Sequence, residues 1–155
     1  MVGGGQGSFI GDVHRRASRI DGMIDLVCGA FSSNPERSLK SAEALGVAPE
    51  RAYKSFEDMI KKEAELPEDE RMDFVSIVTP NHMHFPPAKM ALEYGFHVIC
   101  DKPVTLSLEE AFDLQKVVKE SGKVFALTHN YTGYPMVRQA REMVASGDLG
   151  TIRVV

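Results

Sequence analysis

Apolar and polar positions along this chain fall into short blocks of two periods. Residues 24–31 (Ile24-Asp25-Leu26-Val27-Cys28-Gly29-Ala30-Phe31) make an apolar run of strand length. Asn34 then caps a predicted helix that has Pro35 at its first position, runs through Ala42 and Leu45, and stops at Gly46. Ser55-Phe56-Glu57-Asp58 has the form of a capping box and opens a helix to about Leu66, followed by the acidic loop 67–71. Residues 74–79 (Phe74-Val75-Ser76-Ile77-Val78-Thr79) form a second strand ended by Pro80. A helix from about Pro86 to Tyr94 stops at Gly95, and His97-Val98-Ile99-Cys100 is a third strand. Ser107 with Glu110 caps a helix that stops at Gly122. Residues 124–128 are a fourth strand, a last helix runs from about Pro135 to Ala145, and residues 151–155 read as a β-branched strand.

Strands apolar on both faces and spaced by helices require a parallel sheet covered on each side. The expected fold class is therefore α/β, a doubly wound, Rossmann-like parallel sheet. Its first strand should precede the glycine cluster of residues 3–11, where only Met1 and Val2 stand, so most of that strand is expected to be missing. Both ends look cut, and the chain reads as a piece of something longer. Residues 1–130 are expected to be a dinucleotide-binding domain. Residues 131–155 are expected to be a connecting helix and the first strand of a C-terminal domain that is truncated away. In a 3-2-1-4-5-6 sheet the missing strand is central. Its loss would leave a gap or a place for another segment, such as residues 151–155.

Composition narrows the function. The chain has 155 residues, 43% hydrophobic and 26% charged, as in a soluble globular domain. Eighteen Lys and Arg against 22 Asp and Glu give a net charge of −4 with no basic block. That argues against a nucleic-acid or anionic-membrane surface, which needs a cationic footprint. No apolar run has the length of a membrane-spanning helix, and no leader pattern is seen. Cys28 and Cys100 form no C-x-x-C pair and read as buried thiols of a reducing compartment, so a cytoplasmic protein is expected. His82-x-His84 has no acid or cysteine at ligand spacing, and no metal is expected.

The chemistry-bearing residues begin at Gly3-Gly4-Gly5-Gln6-Gly7-Ser8-Phe9-Ile10-Gly11, where the first strand would pass into the first helix. Glycines there let the backbone turn tightly and approach a pyrophosphate at a helix start. Gly3-x-Gly5 fits the G-x-G-x-x-G spacing, but Gly11 comes three residues late, and a glycine-rich turn without a ligand is the competing reading. The place of the acid that holds the ribose 2′-hydroxyl of NAD falls at Ser32. Ser32 and Ser33 bring no charge to repel a 2′-phosphate, and Arg37 is near enough to attract one. The cofactor is thus NAD or NADP, with NADP slightly favoured; the alternative is that both serines are only loop residues before the helix cap.

Val78-Thr79-Pro80-Asn81-His82-Met83-His84 and Gly95-Phe96-His97-Val98-Ile99-Cys100-Asp101-Lys102-Pro103, with the glycine loop and His14, carry a resemblance over essentially the whole chain. They resemble the dinucleotide-binding half of the Gfo/Idh/MocA family of NAD(P)-dependent oxidoreductases, which act on sugars, inositols and related polyols. The resemblance implies that Lys102 is the catalytic lysine, lying against the nicotinamide and the reacting hydroxyl. It implies that Pro103 follows a cis peptide bond, and that Thr79, Pro80, Asn81 and His84 pack beside the nicotinamide ribose. Ile10 matches the residue whose backbone meets the pyrophosphate, and Asp101 stands where the family usually has Glu. Hydride transfer from a carbinol carbon requires the hydroxyl proton to leave, and a lysine in a partly desolvated site can share or relay it.

Three departures from the family are evident. The longer glycine loop should reshape the pyrophosphate cradle or lay Phe9 over the cofactor. Ser32 replaces the usual acid. After the fourth strand, His129-Asn130-Tyr131-Thr132-Gly133-Tyr134-Pro135 replaces an Arg-Phe-x-Pro segment, which makes His129 and Tyr131 candidates for substrate contact. The partners implied are a small-molecule sugar or polyol and further copies of the parent chain, a homo-oligomer. With its second domain absent, this chain is expected to be catalytically silent although the parent is an enzyme. The rival from another class is a non-catalytic module that senses NAD(P), which would have no need of Lys102.

Overall fold

The computed structural model describes residues 1–154. A four-stranded parallel sheet runs β1 (Val2–Gly3), β2 (Phe74–Val78), β3 (His97–Cys100), β4 (Phe125–Leu127), in that spatial order. The helices are α1 (Phe9–Arg19), α2 (Pro35–Ala44), α3 (Phe56–Glu65), α4 (Phe85–Glu93), α5 (Leu108–Ser121) and α6 (Pro135–Ser146). Every predicted helix is present, and the local signals explain why. Asn34, Ser55 and Ser107 each accept a hydrogen bond from the backbone N–H three residues on, as N-caps do. Gly122 and Gly147 end α5 and α6 in the left-handed conformation, at φ 64° and 83°.

The strand predicted over residues 24–31 is not formed. Only Gly29 and Ala30 pair, as isolated bridges to Ala52 and Val2. The physical reason is the absence of a partner: β1 is two residues long, so residues 24–27 have no ladder beside them. The bridges nevertheless keep the expected order. Reading across the sheet from Ala52 to Gly29–Ala30, then β1, β2, β3 and β4, gives the 3-2-1-4-5-6 arrangement with its first two strands reduced to single contacts. The central position is not a gap. Val2 pairs with Ile77, the Met1 ammonium donates to Cys28 O at 2.9 Å, and Gly3 N donates to Ala30 O at 2.9 Å. Residues 151–154 neither fill that place nor form a strand; they are exposed coil, and Val155 lies outside the described residues.

The main core lies on one face of the sheet. Val75, Ile77, Val98 and Cys100 point into it and meet Ala88, Ala91 and Leu92 of α4, with Phe96 and Met59. Large apolar side chains buried this fully contribute about 1.5–3 kcal/mol each. Ser76, on the opposite face by strand alternation, meets His14 of α1 at 3.0 Å, so α1 covers the other side. A smaller cluster of Met1, Phe31, Ala42, Val47 and Val78 seats α2 beside the glycine loop. Ile10 packs its side chain there.

One buried ion pair ties the edge together. Glu63 of α3 is fully buried; it accepts from Tyr53 Oη at 2.8 Å, from Met72 N at 3.0 Å, and from the Arg51 guanidinium. Burial alone would raise its carboxyl pKa, but the hydrogen bonds from Arg51, Tyr53 and Met72 outweigh this and lower it.

Candidate functional site

Four loops leave the carboxyl edge of the sheet side by side, which is where ligands bind in open α/β sheets. The first is the glycine turn. Ser8 caps α1 by accepting from Gly11 N at 3.2 Å, and Ser8 N closes a tight turn on Gly5 O at 3.0 Å. The extra length of the loop is taken up by this turn, and Phe9 stands 82% exposed at the start of α1. Gly4 has φ +76°, a conformation that favours glycine, and a Cβ on Gly11 would lie 2.4 Å from Gly4 Cα. Glycine at these places lets α1 sit directly on the turn. A Cβ on Gly5 would meet Ser41 Oγ at 2.7 Å, whereas Gly7 faces open space.

Beside this turn is a cleft of about 270 Å³ between residues 5–8 and Ser32, Arg37 and Ser41. Ser41 Oγ accepts from Gln6 N at 3.1 Å and donates to Arg37 O at 2.7 Å, joining the turn to α2. Ser32 Oγ accepts from Asn34 N at 3.2 Å. Arg37 is exposed and makes no ion pair among the described residues. A cation, two hydroxyls and a glycine turn at a helix start form a donor set that fits a phosphate-bearing ligand. Ser33 is exposed and does not line this cleft. Ser41 and Gln6 were not singled out from sequence; the only signal was a second serine at helical spacing from Ser38 on a buried helix face.

The other loops carry the remaining residues. After β2, Thr79 Oγ1 donates to Met83 O at 3.0 Å and closes the turn through Pro80, Asn81 and His82. Gly3 lies against Thr79, within 3.1 Å of where its Cβ would be. His84 is 1% exposed, with Nδ1 2.6 Å from Pro103 O and Nε2 3.0 Å from Thr79 O. After β3, Asp101 N donates to Ile77 O at 3.0 Å, and the Lys102–Pro103 peptide is cis, as the resemblance implied. Lys102 is exposed, so this chain alone does not supply the partly desolvated setting expected for it. Thr128, at the end of β4, donates to Asp101 Oδ1 at 2.7 Å; it was read from sequence only as a strand residue.

His129 and Tyr131 follow on the same edge and are exposed; the Tyr131 ring meets Tyr134 edge-on at 5.5 Å. His14, behind the sheet, has its pKa lowered by burial, against an opposing pull from Asp101. The described residues contain no cluster of three metal-ligating side chains and no helix long and apolar enough to cross a membrane.

Residues 1–131 match the family model described as oxidoreductase family, NAD-binding Rossmann fold, of the Gfo/Idh/MocA group. The chain belongs to this family. It is 38% identical over 156 aligned residues to the oxidoreductase YfiI of Bacillus subtilis, covering all of this chain and 39% of that protein. It is 29% identical to a levoglucosan dehydrogenase of Pseudarthrobacter phenanthrenivorans, over 98% of this chain and 38% of the relative. Among solved structures, an oxidoreductase from Sinorhizobium meliloti is 53% identical with a TM-score of 0.92, over 99% of this chain and 42% of that one. An inositol dehydrogenase homolog from Azotobacter vinelandii, complexed with NADH and myo-inositol, is 41% identical with a TM-score of 0.94, over 99% and 40%. The chain thus spans about two fifths of the length of the relatives it matches.

Proposed function

We propose that this chain is the cofactor-binding part of an NAD(P)-dependent dehydrogenase acting on a sugar, inositol or related polyol. The observation that supports the reading best is the meeting of three loops at one sheet edge: the glycine turn with Gly3, Gly5 and Gly11, the Thr79-Pro80-Asn81 turn, and the Asp101-Lys102-Pro103 loop. The pyrophosphate would lie on the glycine turn at the start of α1, where the backbone N–H groups of Phe9 and Ile10 lack helical acceptors. The adenosine ribose would lie in the cleft of Ser32 and Arg37, with Ser33 beside it, and the absence of a carboxylate there favours NADP over NAD. Thr79, Pro80 and Asn81 would face the nicotinamide ribose.

Nicotinamide bound at this edge would supply the hydride acceptor or donor for the carbinol carbon. Lys102 holds the substrate oxygen. In the oxidation direction the O–H bond breaks, the proton passes to the lysine amine, and the carbonyl forms as the hydride leaves. In the reverse direction the ammonium returns that proton and stabilises developing alkoxide charge. His129 and Tyr131, after β4, are the residues nearest in sequence to take substrate hydroxyls. Residues 131–155 would lead into a second domain that grips the substrate and makes the oligomer interface, so the chain alone should bind cofactor without turnover. The assignment is for a cytoplasmic enzyme.

Calorimetric titration with NADH and NADPH tests the cofactor assignment, with NADPH expected to bind more tightly. Lys102→Met in the parent enzyme should abolish turnover and leave dinucleotide affinity almost unchanged. Surviving turnover would remove Lys102 from the mechanism and favour a sensing module. Turnover of a polyol by this chain alone would contradict the division of labour.

A further inference from the structure

The Lys102 side chain makes no hydrogen bond among the described residues and is exposed. What the fold fixes is the backbone where its side chain starts, and that backbone is held from both sides. On one side Thr128 Oγ1 donates to Asp101 Oδ1 at 2.7 Å. On the other the imidazole of His84 lies between Pro103 O, at 2.6 Å, and Thr79 O, at 3.0 Å. Carbonyl oxygens only accept, so a neutral ring donates its single N–H to one of them and lies against the other, and the ring spans two carbonyls on two different loops. The ring is 1% exposed with both nitrogens occupied, which leaves it no atom for a ligand in the cleft. The turn that carries it is closed by two further bonds: His84 N donates to Asn81 O at 3.2 Å, and Thr79 Oγ1 donates to Met83 O at 3.0 Å. An apolar ring of the same size would fill the space but leave the carbonyl that His84 donates to without its partner.

We propose that His84 is a positioning residue: it is the strut that sets the Lys102 loop at a fixed distance from the Thr79-Pro80-Asn81 turn. Because Thr79 and Pro103 are its two ends, it sets the separation between the nicotinamide side of the site and the backbone from which Lys102 reaches. This rests on the reading of Lys102 as the residue that handles the substrate proton.

The test reads the two ends of the dinucleotide separately in this chain. ADP affinity reports the glycine turn and the Ser32 cleft, which His84 does not touch. Protection of the Lys102 amine by NADH, followed by acetic anhydride labelling and peptide mass spectrometry against Lys119 as internal reference, reports the nicotinamide end. His84→Phe should leave ADP affinity within about twofold, since distant sites act independently. It should reduce NADH protection of Lys102 on the order of tenfold or more, the scale of a misplacement of about 1 Å. His84→Gln, which keeps a donor for one of the carbonyls, should recover part of the protection. Unchanged protection in both variants overturns the strut while the Lys102 reading stands. If His84→Phe fails to melt cooperatively, His84→Gln decides: partial protection supports the strut and full protection overturns it. Absence of NADH protection in the unsubstituted chain overturns the Lys102 reading itself and the strut with it.

Discussion

Arg37 lies in the first turn of α2, exposed and without a carboxylate partner, across the cleft from a serine where a ribose-binding acid would stand. A charge-assisted hydrogen bond to a 2′-phosphate is worth about 1.5–3 kcal/mol, roughly 10–100-fold in affinity. Arg37→Ala should weaken NADPH by that factor and leave NADH nearly unchanged, and Ser32→Asp should reverse the preference by repelling the phosphate. Calorimetry with both cofactors reads the difference, and an equal loss of both would place these residues elsewhere than at the ribose. At the same scale, burial pushes the Cys28 thiol up to about 11 and, with Asp101 adding its charge, the Cys100 thiol up to about 12. Thiolate is the reactive form, so neither cysteine should react with an aromatic disulfide reagent near neutral pH until the chain unfolds. A fast-reacting thiol in the native chain would contradict the burial of both.

Elements carry the next level of consequence. In the contact of α1 with the glycine turn, a Cβ on Gly11 meets Gly4 backbone at 2.4 Å, which no side-chain rotation relieves. Gly11→Ala should push α1 off the turn and cost on the order of tenfold or more in dinucleotide affinity, about 1.4 kcal/mol or above. α3 is tied to its surroundings by Glu63, whose carboxyl pKa is lowered in the folded chain. Its stabilisation is complete above the ordinary carboxylate range and is lost as pH falls through the lowered value. Thermal melting should therefore weaken on acidification, and Glu63→Gln should remove that part of the pH dependence while costing on the order of 3 kcal/mol at neutral pH. A melting profile that is unchanged by Glu63→Gln would mean the ion pair is not maintained in solution.

The same elements explain what the sequence could reveal. Helix starts and stops were legible because Asn34, Ser55, Ser107 and Gly122 act on backbone groups within a few residues of themselves. The strand over residues 24–31 was not, because an apolar run becomes a strand only if a neighbour offers a ladder, and the two residues of β1 stand opposite Ala30 and not beside residues 24–27. At the site, the Asp101-Lys102-Pro103 order was plain, and the resemblance it carries implied the cis peptide. Thr128, Ser41 and the direction of the His84 ring were not. A hydroxyl or imidazole reads the same in sequence whether it turns outward to a ligand or inward to a carbonyl.

For the molecule as a whole, stability is concentrated at one end. β2, β3 and α4 hold the main core, whereas α6 buries none of its residues and shows Met136 at 72%, Val137 at 46% and Val144 at 47% exposure. An uncovered helix of 12 residues is marginal in water, whatever its propensity. Amide hydrogens of residues 139–146 should thus exchange by local fraying, orders of magnitude faster than those of β2 and β3, which open only on global unfolding. Ending the chain after residue 131 should then change its stability by less than about 1 kcal/mol, as expected for loss of a segment with no buried contacts. Strong protection in α6 would overturn this, because no element within the described residues buries that helix. Its apolar side would then have to be covered by another molecule, and concentration dependence of the protection would identify self-association as the cause.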